Sequence, residues 1–206
     1  MKLAASQELH AYWNLLRGAR SAPERAEIDP AAIRGVLADT FILEIDQPNA
    51  YPIRIAGTRT SSLFMRELKG SGFLDLWQPG DRRDMVAMLG CVADEAVALV
   101  AGVSSRPGGW PALDLELLLL PLRHHGATHK RVLGVLAPAA APRWLGLVPA
   151  APLNLLSLRV LDRREPAPPP RAERAPGEEP APAFSRAPAL SRRGHLYVVE
   201  GEAQTR

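Results

Sequence analysis

The feature that most constrains this chain is a pair of β-rich segments separated by a very short turn. Thr40–Ile45 reads Thr-Phe-Ile-Leu-Glu-Ile, Gln47-Pro48-Asn49 is a turn signal, and Tyr51–Ala56 is a second β-rich run. Two strands joined so closely form an antiparallel hairpin. Pro52 lacks an N–H for the ladder and belongs at the start or edge of its strand. Gly57 then breaks the pattern, and everything after it must pack around that hairpin.

Helical signals flank the hairpin on both sides. In 6–20, Leu9, Tyr12, Trp13 and Leu16 recur at three- and four-residue spacings, and Gly18 follows the last of them. Asp29-Pro30 reads as an N-cap with proline in the first turn, opening a short helix that ends near Leu37. Residues 58–68 carry Leu63, Phe64 and Leu68 on one side. After the Pro79-Gly80 turn, Asp81 reads as the cap of a longer helix to about Val97, with Met85, Met88, Leu89, Val92 and Ala96 inward. Three strand-like stretches follow at Ala98–Ser104, Leu113–Arg123 and Arg131–Ala137. Leu155–Val160 reads as strand or helical turn, with strand favoured. The order is helix, helix, two strands, two helices, three strands, so the expected class is α+β with a five-stranded antiparallel sheet.

At Arg163 the character changes. Eight prolines fall between 163 and 193 and apolar bulk nearly vanishes, a composition that cannot offset its ordering entropy. The expected division is therefore a domain over 1–162, a disordered Pro/Arg/Ala-rich linker over 163–193 and a β-like stub over 194–206. Charge adds little. Residues 1–162 hold 17 Lys+Arg against 16 Asp+Glu, and the remainder 8 against 6. Neither part concentrates the cations that phosphate neutralisation needs, so no nucleic-acid partner is expected. The Leu115–Leu122 run is interrupted by Glu116 and Pro121 and is far shorter than a membrane span. With no apolar leader at the start, a cytoplasmic, membrane-free protein is expected.

Several short motifs carry more information than their residue types. Leu9-His10-Ala11-Tyr12-Trp13 is followed by Leu16-Arg17-Gly18, then by Pro23-Glu24-Arg25 and Ile28-Asp29-Pro30. Arg54-Ile55-Ala56-Gly57-Thr58 and Arg66-Glu67-Leu68 occupy the centre, and Leu119-Leu120-Pro121-Leu122 and Val132-Leu133-Gly134 lie toward the end. Together they resemble the PAS-domain family found widely in alphaproteobacteria, whose biochemistry is largely unassigned. The resemblance covers about Leu9–Asp162, and the element order is similar to the PAS topology. It implies a five-stranded antiparallel sheet with helices on one face, an N-terminal helix and space for a ligand between sheet and helices. The terminal His195–Glu200 stretch also resembles a closing strand of that family, with Gly201-Glu202 where Gly-Gly is usual.

Candidate site residues follow from that picture. Cys91 sits on the long helix and is either a redox or flavin-adduct cysteine or a small buried hydrophobe. Its surroundings, Leu-Gly-Cys-Val-Ala, lack the Asn-Cys-Arg-Phe type of motif found in flavin-binding PAS domains. Residues 81–97 contain no histidine for a haem iron. His124, His125 and His129 cluster on a turn with no local carboxylate or cysteine, which reads as a solvated turn rather than a metal site. Arg54, Thr58 and Arg59 stand where the second strand enters the helical side. An arginine there could fork onto a carboxylate or phosphate, be satisfied by Glu67 or Glu116, or simply be exposed. Glu116 is either a buried charge near the ligand or a residue turned outward by strand alternation. Trp77 is either core or a pocket wall, and Tyr12-Trp13 is either core or part of a homodimer face on the N-terminal helix.

There is no GxSxG elbow, HExxH, P-loop or GxGxxG after a strand, and no nucleophile–base pair can be assembled. The reading is a non-enzymatic sensory or regulatory domain, acting through a small-molecule ligand, a regulatory protein partner or both, with its cofactor unknown. The alternative is a ligand-free interaction or adaptor module.

Overall fold

A computed structural model describes residues 1–45, 51–125, 127–161, 191–193 and 196–198, the backbone alone for 127–129 and the last six. The turn expected at 47–49 and all of 163–190 lie outside the described residues.

Helix α1 (Ala4–Arg17) ends where the sequence places its stop. Gly18 takes φ +52°, and its N–H reaches the Asn14 carbonyl at 3.3 Å. The helix expected from Asp29 is not formed. Asp29 Oδ1 accepts the Ala31 N–H at 2.9 Å, and residues 30–36 run as turns into a 3-10 segment at Leu37–Asp39. The aspartate closes a local turn instead of capping a helix. Strands β1 (Thr40–Glu44) and β2 (Ile53–Ala56) form the expected antiparallel hairpin.

Helix α2 is shorter than the pattern suggests, Thr58–Leu63 instead of 58–68. The Phe64 and Met65 amides turn back to Ser61 and Ser62, and Met65 takes φ +49°. Thr58, Thr60, Ser61 and Ser62, four of the six residues of α2, are weak helix formers and resist that tightening little. Helix α3 (Arg82–Asp94) buries Met85, Met88, Leu89 and Val92, the inward face expected. Ala96 lies beyond its end at φ +54°. Asp81 makes no side-chain cap bond; its Oδ2 accepts the Leu155 N–H at 3.0 Å and ties the helix start to the last strand of the sheet.

Strands β3 (Ala98–Ser105), β4 (Leu113–His124), β5 (Ala127–Pro138) and β6 (Asn154–Leu161) complete an antiparallel sheet ordered β2-β1-β5-β4-β3-β6. The five expected strands are present, and Leu155–Val160 adds a sixth beside β3. Strands β7 (Ser191–Arg193) and β8 (Leu196–Val198) form a separate two-stranded ribbon.

Strand β4 explains why both faces of the sheet are covered. Leu113, Leu115, Leu117 and Leu119 point to one face, with α3, Phe73 and Trp77. Leu118, Leu120 and Leu122 point to the other, with Leu9 and Trp13 of α1. A near-continuous apolar strand belongs between two layers. So α2 and α3 share one face, and α1 lies on the opposite one. No helix among the described residues is long and apolar enough to cross a membrane.

Candidate functional site

The space between the sheet and α2–α3 is occupied by the chain's own aromatic side chains. Phe41 and Phe73 stack with ring centroids 5.5 Å apart, and Phe73 meets Trp77 edge-on at 5.9 Å. All three are at most 2% exposed. The Phe41 ring lies over Gly134, its register partner on β5. A Cβ at Gly134 would stand 2.1 Å from Phe41 Cζ. The glycine is therefore the space into which the phenyl ring fits. Trp77 Nε1 is buried with no hydrogen-bond partner, a costly state for an indole N–H.

The candidate residues named from the sequence do not converge on this interior. Trp77 is fully in it. Cys91 is half-buried on α3 and packs against the edge of the same core. Arg54 is bound by Glu44, not by Glu67 or Glu116, and Glu44 also pairs with Arg131 at 2.7 Å. Glu44 is buried at the end of an apolar strand, so two cationic partners offset its desolvation. Arg59 pairs with Asp39, buried at the foot of α2. Burial pushes the Asp39 carboxyl above its ordinary value, and the Arg59 guanidinium pulls it back only in part. Thr58 is exposed in the first turn of α2.

Glu116 belongs to the other face. Strand alternation turns it toward α1, where its carboxylate accepts the Lys2 and Leu3 N–H groups at 2.7 and 3.2 Å. It takes the N–H of Leu3, which opens that helix, and of Lys2 just before it, so a carboxylate from a distant strand anchors the helix start. Burial works to raise this carboxyl. The Ser6 hydroxyl, the two N–H groups and the terminal ammonium outweigh it, and the group titrates below its ordinary value of 4.5. Its stabilising contribution is therefore complete above that value and lost as pH falls through the lower folded one. Glu116→Gln is expected to cost about 1–3 kcal/mol at neutral pH. Urea melts at neutral and acid pH check this. The gap between wild type and variant must shrink in acid, and a constant gap would overturn the assignment.

Tyr12 and Trp13 are also accounted for internally. Trp13 is 1% exposed and donates from Nε1 to the Pro121 carbonyl at 2.8 Å. The Tyr12 hydroxyl accepts the Asp29 N–H at 2.8 Å. Trp13 is thus closed to a dimer face. His124 and His125 sit side by side at the β4 end with centroids 4.1 Å apart, while the His129 side chain lies outside the described residues. No group of three His, Cys, Asp or Glu that could hold a metal occurs among the described residues.

A separate open groove of about 410 Å³ lies between the end of α2 and the segment before β6. Phe64, Leu76, Pro149 and Pro152 line it with apolar surface, and Arg66 and Asp75 add charge.

Sequence patterns do not single out Phe41, Phe73, Gly134, Asp39 or Glu44 as site residues. One signal was available. A glycine inside a strand pattern marks close approach of another group, and Gly134 is such a glycine.

The fold can be set against known proteins. The family model described as PAS domain matches residues 1–137, two thirds of the sequence. The chain belongs to the PAS domain family. No curated protein matches it. Among solved structures, the Rhodobacter sphaeroides LOV protein is similar at 12% identity, over 55% of this chain and 69% of that one, with a TM-score of 0.41. The dark structure of the Aureochrome1 LOV photoreceptor is similar at 15% identity, over 53% and 81%, with a TM-score of 0.42. A variant of Vivid is similar at 12% identity, over 62% and 97%, with a TM-score of 0.41.

Proposed function

We propose that this PAS domain is a non-enzymatic regulatory module of the cytoplasm that signals through contact with a protein partner, its interior filled by its own side chains. The observation that carries the reading is the Phe41–Phe73–Trp77 stack seated over Gly134. Where a ligand would lie between sheet and helices, three aromatic rings already provide the packing. A domain with a solid core transmits through its surface, and a change in partner occupancy is its signal. Membership of an alphaproteobacterial branch with unassigned biochemistry is part of the same proposal and rests on the motifs from Leu9 to Gly134.

One observation favours the second reading, a small-molecule sensor. The orphaned Trp77 N–H is a donor in search of an acceptor, and a ligand carbonyl or carboxylate reaching it would recover the lost hydrogen bond.

Native mass spectrometry of the full chain purified from its own cells separates the two. The expected result is a bare chain mass with a stoichiometric protein partner. A retained small molecule, lost on Trp77→Phe, would replace the first reading with the second.

A further inference from the structure

The two edges of the sheet are treated differently. The β2 edge is four residues long, and its outer backbone is taken at Ile53. Ile53 donates its N–H to the Ser71 carbonyl at 2.9 Å and accepts the Gly70 N–H at 2.7 Å. The β6 edge is eight residues long and reads Asn-Leu-Leu-Ser-Leu-Arg-Val-Leu. It carries no proline, no lysine and one arginine. Its one irregularity is at Leu156, which has no register partner between Leu155 and Ser157 and is 55% exposed. Beyond it, Ser157–Leu161 pairs regularly with β3, leaving its other side without a hydrogen-bonded strand among the described residues. A long, regular, aliphatic edge with these features is a template for strand addition and needs a cover.

One described element lies there. Strand β8 runs against β6 without entering the hydrogen-bond order of the sheet. Its position is not dictated by a short tether. At up to ~3.4 Å per residue, residues 162–190 can reach well beyond the roughly 26 Å of β6. The ribbon thus stands close to the strand whose outer side, over Ser157–Leu161, pairs with no other strand among the described residues.

We infer that β8, held by its pairing with β7, is the strand that occupies the outer edge of β6, and that it does so as a detachable cover. The edge is an interaction surface of the β-addition type, and its occupant is residues 196–198 of the same chain. Releasing the cover would expose the main-chain groups of Ser157–Leu161 to an incoming strand.

Hydrogen exchange on the full chain tests this, comparing wild type with Val198→Pro. In the register Ser191↔Val198, Arg193↔Leu196 these are the pairs that exchange hydrogen bonds, so proline at 198 removes a donor from the β7–β8 ladder. The expected result is exchange about tenfold faster in peptides covering 154–161, with β3, β4 and β5 unchanged. Unchanged exchange in 154–161 would overturn the inference. So would faster exchange across the entire sheet, because the ribbon would then be part of the folding unit and not a cover.

Discussion

Replacing Phe41 with alanine is expected to lower the unfolding free energy by about 3–5 kcal/mol, the range for deleting a buried phenyl ring. Phe41 is 2% exposed and touches the core through its stack on Phe73 and its seat over Gly134. The surrounding strands are paired on both sides, since β1 lies between β2 and β5, so collapse into the space is limited. The resulting cavity should accept benzene or indole and gain thermal stability from it, which the wild-type protein should not. Gly134→Val tests the same contact from the other side. Alone it forces side-chain carbons into the Phe41 ring and should cost about 1–3 kcal/mol or more. Combined with Phe41→Ala, the valine fills part of the vacated space. Denaturant melts of the two single variants and the double variant form a closed cycle. Strictly additive losses would show that Phe41 and Gly134 do not share one space. Equal binding of indole by the wild type would show that the interior is not filled.

Gly57→Ala should cost about 3 kcal/mol or more, for a different reason. Gly57 has φ −66°, a conformation open to any residue. What excludes a side chain is space. An added Cβ would stand 2.4 Å from the carbonyl oxygens of both Leu37 and Ala38. Both are main-chain atoms, so no rotamer change relieves the clash. The backbone is held there as well, because the Gly57 N–H donates to the Thr40 carbonyl at 2.7 Å. Gly70 is the contrasting case, with φ +83° and nothing within 4 Å of an added Cβ. Gly70→Ala should cost only about 1–2 kcal/mol, the strain of a left-handed alanine. Thermal melts of the two variants decide the matter. A smaller loss at Gly57 than at Gly70 would mean that the segment before β1 shifts freely.

Gly57 and Gly134 also mark how far local pattern reaches. Each stands out as a break in a strand pattern, yet neither pattern says which atoms approach. That information belongs to the partners, Leu37 and Ala38 in one case and Phe41 in the other, and both come from other parts of the chain. The same holds for the charges. Arg54 and Arg59 invite a ligand when read alone. In the fold they meet Glu44 and Asp39, which lie on or beside β1. Glu116 lies only two residues from Leu118, yet its task is to hold the start of α1. Helix lengths depart from periodicity at 29–37 and at 64–68, where a turn bond from Asp29 and a left-handed Met65 stop what periodicity alone would continue.

Elements with a local signal are legible in the chain without its fold. The hairpin of β1 and β2, the inward face of α3, the stop at Gly18 and the run of antiparallel strands all follow from spacing and turn chemistry, which act over a few residues. The family follows from motifs spread along the same stretch. What those elements enclose is settled only when they pack. Packing puts α1 on the face opposite α2 and α3, matches Phe41 to Gly134, matches Arg54 to Glu44, and brings β8 against β6. Each pairing is set by burial and strand register between separate elements, which no local pattern encodes.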